Sequence, residues 1–288
     1  MKRFILPVML LAAPVMAQDF ANELKATEVV DGMYMLEGAD GFAGGNMTML
    51  VGDKVFLIDD GVPPTGSLLI GVAEKIAGQA VDYVINTHVH GDHIGGNATL
   101  AEDGTLVVAH DNIRKRLLDD VSLSGGAGGL PVITFSDAVT FHVNGREAFV
   151  FHVAAAHTDG DAVIHFRDVN VIHAGDLLFN YLFPFIDLDN GGSVAGYEAG
   201  QRRIIAMADD DTIIIPGHGP LAKKSDLQVS LDMLLDAEAR VKKLVDAGMT
   251  LEQVLAENPL ALYHEQWNWS FITTERMTTT LYRSLTDG

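Results

Sequence analysis

The residues best suited to do chemistry lie together in Val84-Ile85-Asn86-Thr87-His88-Val89-His90-Gly91-Asp92-His93-Ile94-Gly95-Gly96-Asn97. Three histidines and one aspartate fall within six residues there. Neutral imidazole and carboxylate are the donors that zinc and similar divalent ions accept in catalytic sites. At the end of a strand, residues two apart point the same way, so His88 and His90 can reach one ion together. Asp92 and His93 sit where the chain turns toward a helix. They point elsewhere and can serve a second ion. Four ligand-type groups crowded on one turn are hard to satisfy without a cation.

A strand and a helix must position this stretch. The apolar run Val81 to Ile85 leads into it, and Gly95-Gly96 followed by a modest helical pattern leads out. Three later stretches each follow or end an apolar, β-branched run. They are Ala155-Ala156-His157-Thr158-Asp159-Gly160-Asp161, His173-Ala174-Gly175-Asp176-Leu177-Leu178-Phe179 and Ile215-Pro216-Gly217-His218-Gly219-Pro220.

Together these motifs resemble the metallo-β-lactamase superfamily. Its H-x-H-x-D-H signature stands here as His88-Val89-His90-Gly91-Asp92-His93, and a further His, an acidic or soft ligand and a last His follow in the same order. The resemblance implies an α/β fold, the four-layer αββα sandwich, with two sheets face to face and helices outside. It implies two zinc ions, with His88, His90 and His157 on one and Asp92, His93 and His218 on the other. Asp176 would bridge them. A water between two dications loses its proton near neutral pH, so the implied nucleophile is hydroxide. Asp92 would be the catalytic residue, orienting the hydroxide and relaying its proton. Asp59 matches the family's first motif aspartate, which orients a ligand or its turn. No G-x-S-x-G pattern suggests a serine nucleophile.

Composition narrows the classes. The chain has 288 residues, 48% of them hydrophobic, and a formal charge of −20. Such acidity repels phosphate backbones, so a small-molecule substrate is expected and nucleic acid is not. There is no cysteine, which removes disulfides and thiolate ligands. Lys2, Arg3, the apolar run from Phe4 to Met16 and Val15-Met16-Ala17 read as a signal peptide over 1–17, cut after Ala17. The expected product is one soluble hydrolase domain over 18–288, periplasmic or secreted, with no membrane contact after cleavage. The sequence is silent on oligomeric state.

Strands are expected over 27–36, 46–51, 54–58, 105–109 and 212–215. One hairpin, 138–143 with 148–153, turns at Asn144-Gly145. A second, 162–166 with 169–172, leads to Asp176. Helices are expected over 63–76, 111–118, 194–208, 225–247 and 270–285. The Gly/Ser-rich 122–131 reads as a candidate disordered or lid segment. Phe42, in a glycine-rich loop, is a candidate mobile wall over substrate, and the aromatic segment 180–188 a candidate apolar wall. His142, His152 and His165 lie in strand patterns and read as structural; His173 reads as support for a ligand.

Substrate identity is less determined. True β-lactamases of the resembling family place Cys or Ser where this chain has Asp176, and some carry a Lys where it has Phe179. A bridging Asp resembles the thioesterase and lactonase branches. The reading is hydrolysis of a cyclic, β-lactam-like amide. Lactone, ester or thioester hydrolysis is the alternative, and iron-dependent oxidoreduction a more distant one. The short, mildly basic C-terminal stretch speaks against glutathione thioesters.

Overall fold

Strands that carry apolar residues on both faces need cover on both sides. In the computed structural model, which describes residues 24–38, 41 and 44–287, that cover is supplied in four layers. The expected signal peptide and Phe42 lie outside the described residues. The first sheet runs in chain order through β1 (Leu24–Val30), β2 (Met33–Gly38), β3 (Met47–Leu50), β4 (Phe56–Ile58), β5 (Tyr83–Ile85), β6 (Leu106–His110) and β7 (Ile133–Phe135). Pairing is antiparallel as far as β4 and parallel beyond it. The second sheet contains β8 (Ala138–Val143), β9 (Arg146–His152), β10 (Ala162–Phe166), β11 (Val171–Phe179) and β12 (Ile213–His218). Its spatial order is β12-β11-β10-β9-β8, with only β11 and β12 parallel.

The helices are α1 (Thr65–Ala77), α2 (Gly91–Ile94), α3 (Asn97–Glu102), α4 (Asp111–Asp119), α5 (Val194–Met207), α6 (Lys224–Asp246), α7 (Leu251–Glu257), α8 (His264–Trp267) and α9 (Thr274–Thr286). Alternation along the strands sorts the core. Phe56, Ile58 and Ile85 of the first sheet meet Val150, Ile164 and Phe166 of the second. Leu57, Val84 and Val107 point the opposite way, onto Leu69 of α1 and Leu100 of α3. Val163, Ile172 and Ile214 pack under α5, α6 and α9, against Tyr197, Leu227 and Met277. This is the αββα sandwich. No helix among the described residues is long and apolar enough to cross a membrane.

Three expectations change. The single strand over 27–36 is a hairpin, because Asp31-Gly32 turns the chain with Gly32 at φ 69°. The candidate lid over 122–131 is packed structure, with helical turns at Val121–Ser124 and Ala127–Gly129. Ser124 is buried, and Asn97 Nδ2 donates to the Gly129 carbonyl at 3.1 Å, which pins the segment to α3. The last helix starts at Thr274 rather than 270, capped by the Thr273 hydroxyl, which accepts from Arg276 N. The freed residues run toward the strand ends that carry the histidines.

The intersheet core holds these ends in register. Phe56 is fully buried and meets the ring of Phe141 across the sandwich at 5.2 Å. Replacing it, Phe56→Ala, is expected to cost about 3–5 kcal/mol, read as a lower midpoint in chemical denaturation.

Candidate metal centre

The site begins with β5, where parallel pairing to β4 and β6 ends at Ile85. Just beyond, Asp59 sits at φ 59°, a left-handed conformation that costs a non-glycine residue energy. The conformation turns its carboxylate into the path of the incoming chain. Asp59 Oδ1 accepts from Thr87 N at 2.7 Å. Its Oδ2 accepts from Thr87 Oγ1 at 2.7 Å and His93 Nδ1 at 2.8 Å. Asp59 therefore aims His93 Nε2 outward, as expected of it. His173 lies close behind, its Nδ1 2.9 Å from Thr48 Oγ1 and its Nε2 3.8 Å from Asp59 Oδ2.

All seven expected ligands converge. Donor atoms of His88, His90, His157 and Asp176 lie within 4.8 Å of one another, and so do those of Asp92, His93 and His218. Asp176 faces both groups. Its Oδ1 is 3.2 Å from His93 Nε2, while its Oδ2 is 3.3 Å from His157 Nε2, 3.5 Å from His218 Nε2 and 3.6 Å from His88 Nε2. Asp92 Oδ2 is 3.4 Å from His218 Nε2. Gly217 permits this approach, since a Cβ there would run into the Asp176 carboxylate.

These residues suit divalent ions. His88 Nε2 and Asp176 Oδ1 are buried with no hydrogen-bond partner. His90 Nδ1 faces His157 Nε2 at 2.8 Å, although the other nitrogen of each ring is already engaged. Burying such groups unpaired is costly, and a cation among them would satisfy all of them.

The nitrogens turned away from the centre have named partners. His157 Nδ1 donates to the Phe185 carbonyl at 2.6 Å. His90 Nε2 donates to Asp187 Oδ2 at 2.8 Å, leaving Nδ1 as its ligand atom. Asp187 is the residue sequence reasoning missed. It lies inside the segment expected to be an apolar wall, and the signal was a lone carboxylate among aromatics. It is held in turn by Asn190, whose Nδ2 donates to Oδ2 at 2.7 Å and whose Oδ1 accepts from Arg116 at 2.8 Å. His152 serves elsewhere, donating to the Asp161 carbonyl and stacking on His110.

Charge is unevenly shared here. Burial disfavours a charged His93, but Asp176, Asp92 and Asp59 outweigh it and hold the pKa well above the usual imidazole range. His218 is likewise penalised by burial yet raised to about 9 by Asp176 and Asp92. Burial wins at His157, which falls to about 3 despite Asp176. Asp92 is penalised by burial, but His93 and His218 draw it down to about 2. The surrounding carboxylates thus favour the protonated form of each of these two imidazoles, whose Nε2 atoms face each other at 3.4 Å.

The centre opens into a cleft of about 1110 Å³ whose aromatic side contains Phe179, Phe185, Trp269 and Phe271. Phe179 lies flat on His218, centroids 4.8 Å apart and planes at 11°.

Two outcomes are expected. Metal uptake at pH 7 releases protons, and apparent affinity rises with pH toward about 9 as the competing proton on His218 is lost. Calorimetry in buffers of different ionisation enthalpy reads both. Asp187→Ala weakens metal binding by about 10–100-fold, measured by competition with a chromogenic chelator, because His90 loses the acceptor that orients its ring.

Comparison with known proteins agrees with this geometry. Residues 40–218 match the metallo-β-lactamase superfamily, a span that includes all seven converging residues. A hydroxyacylglutathione hydrolase of Polaromonas sp. (strain JS666) is 29% identical over 147 residues, 50% of this chain and 51% of that protein. A metallo-β-lactamase type 2 of Bacillus cereus is 23% identical over 166 residues, 58% of this chain and 62% of that protein. The chain thus spans about half to three-fifths of these two relatives. The structure of a metallo-β-lactamase from Pontibacter korlensis superposes with a TM-score of 0.65 at 19% identity, covering 74% of this chain and all of that one. With the family match running over more than half of its length, this chain belongs to the metallo-β-lactamase superfamily.

Proposed function

We propose that the protein is an exported hydrolase that holds two divalent ions, zinc foremost, and opens a lactone, ester or thioester bond in a small, largely uncharged substrate. The observation that carries the substrate class is the aromatic side of the cleft beside Asp176. Phe179 is stacked on His218 at the position where some β-lactamases of the resembling family carry an anchoring lysine. Among the described residues lining the cleft, Lys25 is the only lysine or arginine, and it is ion-paired with Glu37 at 3.0 Å. Arg276 stands just outside that lining, 4.1 Å over the Phe271 ring and 5.0 Å over that of Phe185, with Nη1 bonded to the Phe271 carbonyl, so no cation of the lining itself is free to anchor a substrate carboxylate. The carboxylate of Asp176, turned to both ligand groups, also accords with the ester-cleaving branches.

A pair of bound zinc ions supplies Lewis acidity toward the acyl oxygen and makes water acidic near neutral pH. Asp59 and Asp187 keep His93 and His90 in their ligand orientations. The Asp92 side chain is 35% exposed and borders the cleft, so it can take the proton from water and pass it to the departing oxygen or sulfur. Phe179, Phe185 and Trp269 keep that side of the site dry.

Opening of a β-lactam-like amide is the second reading. It is supported by the metallo-β-lactamase relatives and by the same Asp92, which is equally placed to protonate a departing nitrogen. A panel on zinc-loaded protein separates the two, using an acyl lactone, a thioester and a chromogenic cephalosporin with and without chelator. Chelator-sensitive lactone or thioester turnover on the order of 1–10³ per second, with only trace cephalosporin turnover, is expected. The reverse ranking makes the protein an amide-opening enzyme. Asp176→Ala is expected to lower the metal content from two ions per chain and abolish turnover, while His90→Ala loses activity with the fold intact. Elemental analysis and circular dichroism read these results.

A further inference from the structure

The family match ends at residue 218, yet part of the cleft wall comes from beyond it. Trp269 and Phe271 belong to the connection between α8 and α9. The Trp269 ring is 6.0 Å from those of both Phe179 and His218 and 5.6 Å from Phe271. Phe271 is 5.3 Å from Phe185, which is itself stacked on His90 at 5.3 Å. An unbroken aromatic surface therefore runs from ligand imidazoles of both groups out to the cleft mouth.

The surface is held in place from behind. Trp269 Nε1 donates to the Phe183 carbonyl at 2.9 Å, and Phe183 N donates to the Trp267 carbonyl at 2.8 Å. The Arg276 guanidinium lies 4.1 Å over the Phe271 ring, and its Nη1 donates to the Phe271 carbonyl at 3.0 Å. With its N–H engaged in the backbone, the indole has only its apolar surface to offer. Ordinary core packing would bury both rings, yet Phe271 remains 45% exposed. A braced, exposed aromatic at a cleft mouth suits an apolar ligand.

We propose that Trp269 and Phe271 form the platform for a long hydrocarbon tail, so that the substrate is an uncharged lactone or ester with an extended acyl chain. This deepens the hydrolase reading and rests on it for the scissile bond. Binding of the tail stands on the aromatic surface alone. Short polar acyl groups leave the platform uncovered.

Two measurements test the proposal separately from the hydrolase reading. The first compares kcat/KM for acetyl, hexanoyl and decanoyl lactones on the metal-loaded protein and on Phe271→Ser, an exposed position where the fold tolerates change. Full burial of a methylene favours binding by about fourfold. The wild-type rate constant is expected to climb by roughly two- to fourfold per methylene, mainly through KM. The variant should lose at least half of that slope. The second is a fluorescence titration with butanamide and decanamide, neutral and inert probes. Both tryptophans of the chain, Trp267 and Trp269, lie at or beside the platform. Decanamide is expected to bind at least about tenfold more tightly, a preference that Phe271→Ser removes. Equal affinity for the two amides, or a preference that survives the substitution, overturns the platform even if lactones are hydrolysed. A preference lost in the variant upholds it even if none is.

Discussion

The structure depends on the buried carboxylate of Asp176, set among imidazoles from both ligand groups. A charge in that position is tolerated only with opposite charge close by. His93 and His218, both drawn toward the protonated form, face it at 3.2 and 3.5 Å and hold Asp176 well below the ordinary carboxylate range despite burial. The arrangement requires strand ends from two sheets to meet within a few ångströms. β11 delivers Asp176, β12 delivers His218, and the turn after β5 delivers His88 through His93. Any shift between the sheets separates these groups, so the intersheet core is also what sets the geometry of the site.

The crowding is opposed by a second circle of groups that fixes each ring. Asp59 does this for His93, the Phe185 carbonyl for His157, and Asp187 for His90. The arrangement carries local costs, including the left-handed Asp59 and the orphaned His88 Nε2. Strain of this kind persists where surrounding structure over-determines it, and such places are often functional. A ligand that binds only the folded site stabilises the fold by mass action. Metal and fold are therefore coupled through the same few residues.

The cleft has a different origin on each side. The hairpin β1–β2 borders one side with Lys25, Met35 and Glu37. Aromatic residues after Asp176 and between α8 and α9 form the other. The metal-binding half lies in the stretch matched by the superfamily, whereas Trp269 and Phe271 lie outside it. Chemistry and selectivity can thus vary independently, as expected when function resides in sites carried on a shared fold.

Much of this was legible from residue order. The H-x-H-x-D-H stretch, the later histidines and Asp176 announce themselves because ligand donors are few in kind and each ends an apolar run. The sandwich and most strands follow from alternation and turn residues such as Asn144-Gly145. Three local signals were misjudged: Asp31-Gly32 turns a presumed single strand into a hairpin, Gly125 and Gly129 pack 122–131 closely against α3, and the Thr273 cap starts the last helix at Thr274. Other features became visible only in three dimensions. That Asp187 fixes His90, that Arg116 reaches Asp187 through Asn190, and that Trp269 lies beside His218 all join residues far apart in the chain. Local sequence determines which groups exist and which way the nearby backbone turns. Only tertiary packing decides which distant groups meet, because hydrogen bonds and ring contacts act over a few ångströms of space and are indifferent to separation along the chain.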